Sequence, residues 1–197
     1  MTANSNTVNM KGRGYHHGDL RAALLAEGLR LLAERNAEDL SLREVARGVG
    51  VSATSVYRHF PDKDALMAAL AEEGLAQLAQ AQKDASKRAG GGNAGFAATG
   101  RAYVRFALAN PALFRLIFAS PVRGDLEEEC EAEAMTLLRT NAAAEIGVEL
   151  EDPAARINAL HAWSLVHGLA MLMLDRQIPV DDALIDQVIA ATPPDSG

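Results

Sequence analysis

Cysteine is nearly missing from this chain of 197 residues, with Cys130 the only one. A single thiol excludes an intramolecular disulfide framework and every multi-cysteine metal site. Long apolar runs are missing as well. The longest, Leu165 to Leu174, is broken by His167 and is too short to cross a bilayer, so no membrane partner is expected. The first ten residues are polar and hold no apolar stretch of the kind a secretory signal needs. No run reads as a strand and no internal repeat occurs. No Ser/His/Asp, Cys/His or glycine-rich phosphate-loop arrangement falls at a workable spacing, which argues against an enzyme. No metal or cofactor is expected either. What remains is abundant alanine, 49% hydrophobic residues, and seven prolines mostly at segment boundaries. That mixture supplies a core and points to an all-α cytoplasmic protein.

Charge is uneven. The net value of −7 looks wrong for a nucleic-acid binder. Up to Pro61, however, eight Lys and Arg stand against six Asp and Glu, and beyond it eleven stand against twenty. A mildly basic head on an acidic body fits local phosphate binding, with the body repelled from the nucleic-acid backbone.

Residues 1–14 carry almost nothing to bury and are expected to form a flexible arm, whose Lys11 and Arg13 could enter a minor groove. A first helix is expected from Asp19 to Arg35, with Leu20, Leu24, Gly28, Leu31 and Leu32 along one side and Asn36 as its left-handed stop. Ser41 to Glu44 reads as a capping box that opens a second, short helix. Gly48 and Gly50 interrupt it, and Ser52 caps a third helix over residues 53–59. Two short helices hinged by Gly-Val-Gly-Val-Ser form the helix-turn-helix pattern, locked by Val45, Ala46, Val49, Val51 and Val56. Asp62 caps a fourth helix to Arg88, and residues 89–95 read as a linker. Further helices are expected over 94–109, 111–118, 125–147, 153–177 and 181–191, with Asn110-Pro111 and Asp152-Pro153 as cap-and-proline starts. The reading is a three-helix head (15–61) and a helical bundle (62–197), about nine helices altogether.

The stretch LREVARGVGVSATSVYRHFPDKDAL, Leu42 to Leu66, strongly resembles the DNA-binding head of the TetR/AcrR family of bacterial transcription regulators. Trp163-Ser-Leu-Val-His167-Gly168 and Tyr15-His16-His17-Gly18-Asp19-Leu20 are similar to a subgroup named for its Trp-His-Gly motif. Gly28 and Asn36 depart from the family's usual Ala and Gly. The resemblance implies phosphate contacts from Tyr57, His59 and Lys63. Lys63 in a helix's first turn opposes the macrodipole, which is easier to understand if it faces a phosphate. Ser41 and Arg43 are expected to contact the backbone as well. Base reading would fall to Ala53, Thr54, Ser55 and Arg58, of which only Arg58 offers a bidentate guanine contact.

In the body, Trp163 and His167 stand four apart on one helical face, either as a packing pair or as ligand contacts. With Tyr103, Phe106, Phe114, Phe118 and Met171 they would line a pocket for a small, largely apolar effector. The same aromatics could equally just fill the core. Arg101, Arg105 or Arg115 turned inward would instead favour an anion. Met171, Leu174, Leu184, Ile185, Val188 and Ile189 supply apolar stripes for a homodimer interface. His16-His17, Cys130 and the carboxylates Glu127, Glu129, Glu131 and Glu133 read as surface groups rather than a metal site. The leading expectation is a homodimeric repressor on a palindromic operator of double-stranded DNA, released by a small molecule. A ligand-independent DNA binder and a helical enzyme carrying a helix-turn-helix are the alternatives.

Overall fold

Helices succeed one another through residues 17–119, 136 and 138–191, which the computed structural model describes, and no strand occurs among them. In chain order they are α1 (His17–Glu34), a 3-10 turn (Ala37–Asp39), α2 (Leu42–Val49), α3 (Ala53–Tyr57), α4 (Lys63–Arg88), α5 (Gly92–Ala109), α6 (Pro111–Ala119), α7 (138–146), α8 (Pro153–Leu174) and α9 (Asp182–Ala190). The all-α class is as expected. The arm with Lys11 and Arg13, the side chains of His16 and His17, Cys130, Glu127, Glu129, Glu131, Glu133 and the first part of the helix expected over 125–147 lie outside the described residues.

Side-chain caps set most helix starts. Ser41 Oγ accepts from the Glu44 N–H at 3.3 Å, Ser52 Oγ from Ser55 at 3.2 Å and Asp62 Oδ1 from Ala65 at 2.7 Å. Asp152 and Asp181 do the same for α8 and α9, each at 2.8 Å. Each such cap contributes about 1 kcal/mol.

Several expectations are corrected. Only half of the capping box forms, because the Glu44 carboxylate takes the Arg35 guanidinium at 2.7 Å. A charge-assisted bond outcompetes a neutral backbone N–H. Asn36 is extended (φ −76°), not left-handed, since the chain passes straight into the 3-10 turn. Asn110 does not cap α6 with its side chain; its amide donates to the Phe106 carbonyl at 3.0 Å and closes α5. The third helix ends at Tyr57, where the N–H groups of His59 and Phe60 both turn to the Val56 carbonyl at 2.9 Å. α5 starts at Gly92, so the linker is shorter than its composition suggests. α8 ends at Leu174, short of 177, with Arg176 left-handed at φ 57°.

Two cores organise these helices. The head core joins Leu24, Leu32, Val45, Val56 and Phe60 to Leu66 and Leu70 of α4 and to Leu113 and Leu116 of α6. Packing therefore runs straight through the expected boundary at residue 61. Gly28, an expected departure, has a reason: a Cβ there would lie 3.0 Å from Leu70 Cδ2. The body core gathers Leu78, Val104, Ala107, Phe114, Leu169, Met173 and Ile185. α6 belongs to both, through Leu113 and Leu116 on one side and Phe114 on the other. It crosses α4 closely at Gly74, where a Cβ would meet Leu113 Cδ1 at 2.7 Å. A bend of 107° between α5 and α6 makes this double membership possible.

Candidate functional site

The head presents a compact polar surface on two short helices. Gly50, left-handed at φ 78°, ends α2, and Val51 N–H returns to the Ala46 carbonyl at 2.9 Å. A side chain at Gly50 would be strained in that conformation. Val45, Ala46 and Val56 are buried between the helices, and Val49 and Val51 pack beside them, so all five expected locking residues join this core.

Outside that lock, Ser41, Arg43, Thr54, Tyr57 and Arg58 are exposed, and Ala53, Ser55, His59 and Lys63 are half-buried. Tyr57 is 45% exposed, a large aromatic held in solvent while its neighbour Phe60 is buried under Arg21, whose guanidinium carbon sits 5.5 Å from the ring centre. Arg43 and Arg58 form no ion pair among the described residues, whereas Arg30, Arg35, Arg101, Arg105 and Arg115 each hold a carboxylate. Two groups are less free than the sequence suggests. Lys63 Nζ donates to the Glu38 carbonyl of the 3-10 turn at 2.5 Å, and Ser55 Oγ lies 2.9 Å from Ser52 Oγ.

A second cluster lies in the body. Phe118 packs on Phe114 and on the His167 ring, with centroids 4.8 and 4.9 Å apart, and Tyr103 meets Phe114 edge-on at 5.5 Å. Trp163 closes the group 6.3 Å from His167. Its indole Nε1–H donates to Tyr103 Oη at 3.2 Å, and Tyr103 Oη lies 2.9 Å from His167 Nδ1. Indole can only donate, so the Tyr103 oxygen accepts from it; the buried phenol meets no acceptor other than Nδ1 among the described residues and satisfies its own proton by donating it there. His167 is then the neutral tautomer with its proton on Nε2.

Burial favours the same neutral state. It lowers the His167 pKa, and it raises that of the Tyr103 phenol against the opposing pull of the Trp163 bond. Five of the seven expected pocket residues thus converge. Phe106 and Met171 are half-buried against the core and make no ring contact with this hub. The three arginines near it do not turn inward: Arg101 holds Asp186 at 2.7 Å, Arg105 holds Asp182 at 2.8 Å, and Arg115 holds Asp175.

The interface candidates fare unevenly. Ile185 is 1% exposed within the protomer and is therefore unavailable to a partner; it fixes α9 to the body core. Met171, Leu174, Leu184, Val188 and Ile189 are half-buried against that core. α8 also exposes Leu165 and Leu172, which belong to the apolar run Leu165–Leu174 noted in the sequence, and Ile157 and Leu160, which the sequence did not single out. Their spacing with Gly168 is a helical stripe, the signal that could have found them. Nothing lies within 4 Å of where a Gly168 Cβ would stand.

Residues 24–70 match the tetR family of bacterial regulatory proteins, and residues 96–192 match the tetracyclin repressor-like C-terminal domain. An uncharacterized HTH-type transcriptional regulator of Haemophilus influenzae is 33% identical over 144 residues, 73% of this chain and 65% of that protein. The chain thus spans just under two thirds of that relative's length. A Rhodococcus sp. RHA1 protein of unknown function is 34% identical, with a TM-score of 0.75 over 90% of this chain and 93% of its own. A TetR family transcription regulator from Marinobacter aquaeolei VT8 shares the fold at 21% identity, with a TM-score of 0.64 over 86% and 91%.

Proposed function

Because the chain belongs to the TetR family of bacterial regulatory proteins, we propose that it works as a homodimeric repressor, bound to a palindromic operator through α3 and released by a small, largely apolar effector in the body. The observation that carries the DNA-binding part is the polar surface of the two short helices, where Arg43 and Arg58 stand exposed and without an ion pair among the described residues beside the exposed Tyr57. The arginines beside the aromatic hub, Arg101, Arg105 and Arg115, are instead held by aspartates. In this reading Arg58 contacts base edges, and Ser41, Arg43, Tyr57, His59 and Lys63 hold phosphates. Lys63 exchanges its Glu38 carbonyl for a phosphate oxygen on binding.

The dimer reading rests on α8. That helix is long and apolar enough to cross a membrane by length and composition, with a mean hydropathy of 1.4. It also carries Trp163, His167 and core residues Leu169, Ala170 and Met173, so it is a core helix with one open face. Ile157 at 55% exposure, Leu160, Leu165 and Leu172 line that face, and a second copy covers it with Gly168 near the crossing. The protein is then a soluble cytoplasmic one. The effector reading rests on α6, which joins the aromatic hub through Phe114 and the head core through Leu113 and Leu116. A shift of α6 at the hub moves the head.

DNA selected in vitro from random sequence tests the proposal. The enriched site should be two-fold symmetric, with half-sites about 34 Å apart along the duplex or a multiple of that. Arg58→Ala should flatten preference at particular positions by about 1–3 kcal/mol, while Lys63→Ala should weaken all sequences alike and lower the salt slope by about one. Selection of an asymmetric site, or variants that bind like wild type, would reject the mapping.

A further inference from the structure

We propose that His167 Nε2–H is the polar anchor of the body's effector site, and that this site takes a neutral molecule with an aromatic or similarly flat apolar body and a carbonyl-type acceptor, in preference to a carboxylate. This rests on the reading of the body as an effector-binding domain and adds the ligand's chemical class.

Hydrogen-bond direction fixes the anchor. Trp163 can only donate to Tyr103 Oη, and the buried phenol meets no acceptor other than His167 Nδ1 among the described residues; its proton is satisfied only by donation to Nδ1, which leaves the His167 proton on Nε2. Nε2 has no hydrogen-bond partner among the described residues, yet it is not among their sealed, unpartnered polar atoms. It is therefore a donor that a bound molecule can reach. Phe118, which meets the same imidazole edge-on, is 37% exposed, so ring surface is open next to that donor.

The surrounding groups select the acceptor. Arg101, Arg105 and Arg115, the cations nearest in sequence to the hub, hold Asp186, Asp182 and Asp175 on the outside. A carboxylate at the hub would meet a neutral imidazole, a phenol already committed as donor to it, and apolar rings, and would lose its hydration without a counter-charge. A ketone or aldehyde oxygen needs one donor, which Nε2–H supplies. A hydrocarbon of the same shape leaves that donor unanswered.

The chain has one tryptophan, so Trp163 gives a single indole N–H signal, and the His167 ring nitrogens can be followed by nitrogen NMR with histidine labelling. Acetophenone, ethylbenzene and benzoate, matched in size, would be titrated into the full-length protein. Nδ1 should read as unprotonated and Nε2 as protonated at neutral pH. Acetophenone should shift both reporters saturably, binding about three- to tenfold tighter than ethylbenzene and more than tenfold tighter than benzoate. His167→Phe should erase the advantage over ethylbenzene, and His167→Gln, which keeps an N–H donor and an acceptor, should restore part of it. The opposite tautomer, benzoate or ethylbenzene binding as well as acetophenone, or no shift with any probe would overturn the proposal. A gel shift on the selected operator separates the two readings. Acetophenone binding with no loss of operator affinity sustains the anchor and rejects release by effector, whereas failure of the protein to bind any selected DNA rejects the regulator reading alone.

Discussion

The head and the body are both helical, but they hold their chemistry on opposite sides of their cores. In the head the interior is aliphatic apart from Phe60, and the polar groups of interest, from Ser41 to Lys63, stand on the surface. In the body the surface arginines near the hub are neutralised by aspartates, and the polar atoms of interest, Trp163 Nε1, Tyr103 Oη and His167 Nδ1, meet among aromatic rings. A surface that must meet a large, charged, rigid duplex needs only exposure and position. A site for a small molecule needs walls and a donor held in one state. α6 is the element the two regions share, with Leu113 and Leu116 in one core and Phe114 in the other.

The contrast yields graded expectations. The largest effect should come from Phe114→Ala, which empties a fully buried position at the junction. Denaturant unfolding should show a loss of about 3–5 kcal/mol. A single shifted transition would mark head and body as one cooperative unit, and a body that melts before an unchanged head would divide them.

A middle-sized effect should appear with pH. The folded-state pKa of His167 is depressed by burial, so the fold binds fewer protons there than the unfolded chain. The contribution of this site is complete above the unfolded value of about 6.5 and is lost as pH falls toward the lower folded value. Thermal melts of wild type and His167→Gln across that window should converge on acidification. Parallel curves would deny the buried neutral imidazole.

The smallest effect belongs to the outer ion pairs. Asp186→Asn should cost at most about 1 kcal/mol, because the carboxylate is half exposed and the pair is screened by solvent. A larger loss in a melt would mean that the α5–α9 clamp is structural rather than a surface neutralisation.

How much of this was legible in the sequence follows the same division. The head's caps, its Gly50 turn and its exposed contacts fall between Ser41 and Lys63, and local rules reach that far. They misjudged details where a distant group competed, as Arg35 does for Glu44 and the Glu38 carbonyl does for Lys63. In the body, composition pointed to the right aromatics, but Tyr103 lies 64 positions from His167 and 60 from Trp163, so no spacing rule could reveal a donor chain. Ile185 illustrates the limit in the other direction. An apolar stripe announces burial without saying whether the chain itself or a partner does the burying.

Tyr103→Phe removes the hub's shared oxygen without touching the head, so its operator affinity bears most directly on the link between the two regions. Measured on a selected operator at a temperature where circular dichroism shows the variant fully folded, binding should weaken at least fivefold, the lower end of common coupling energies, with the salt slope unchanged. Affinity equal to wild type in the folded variant would contradict a body that controls the head through α6.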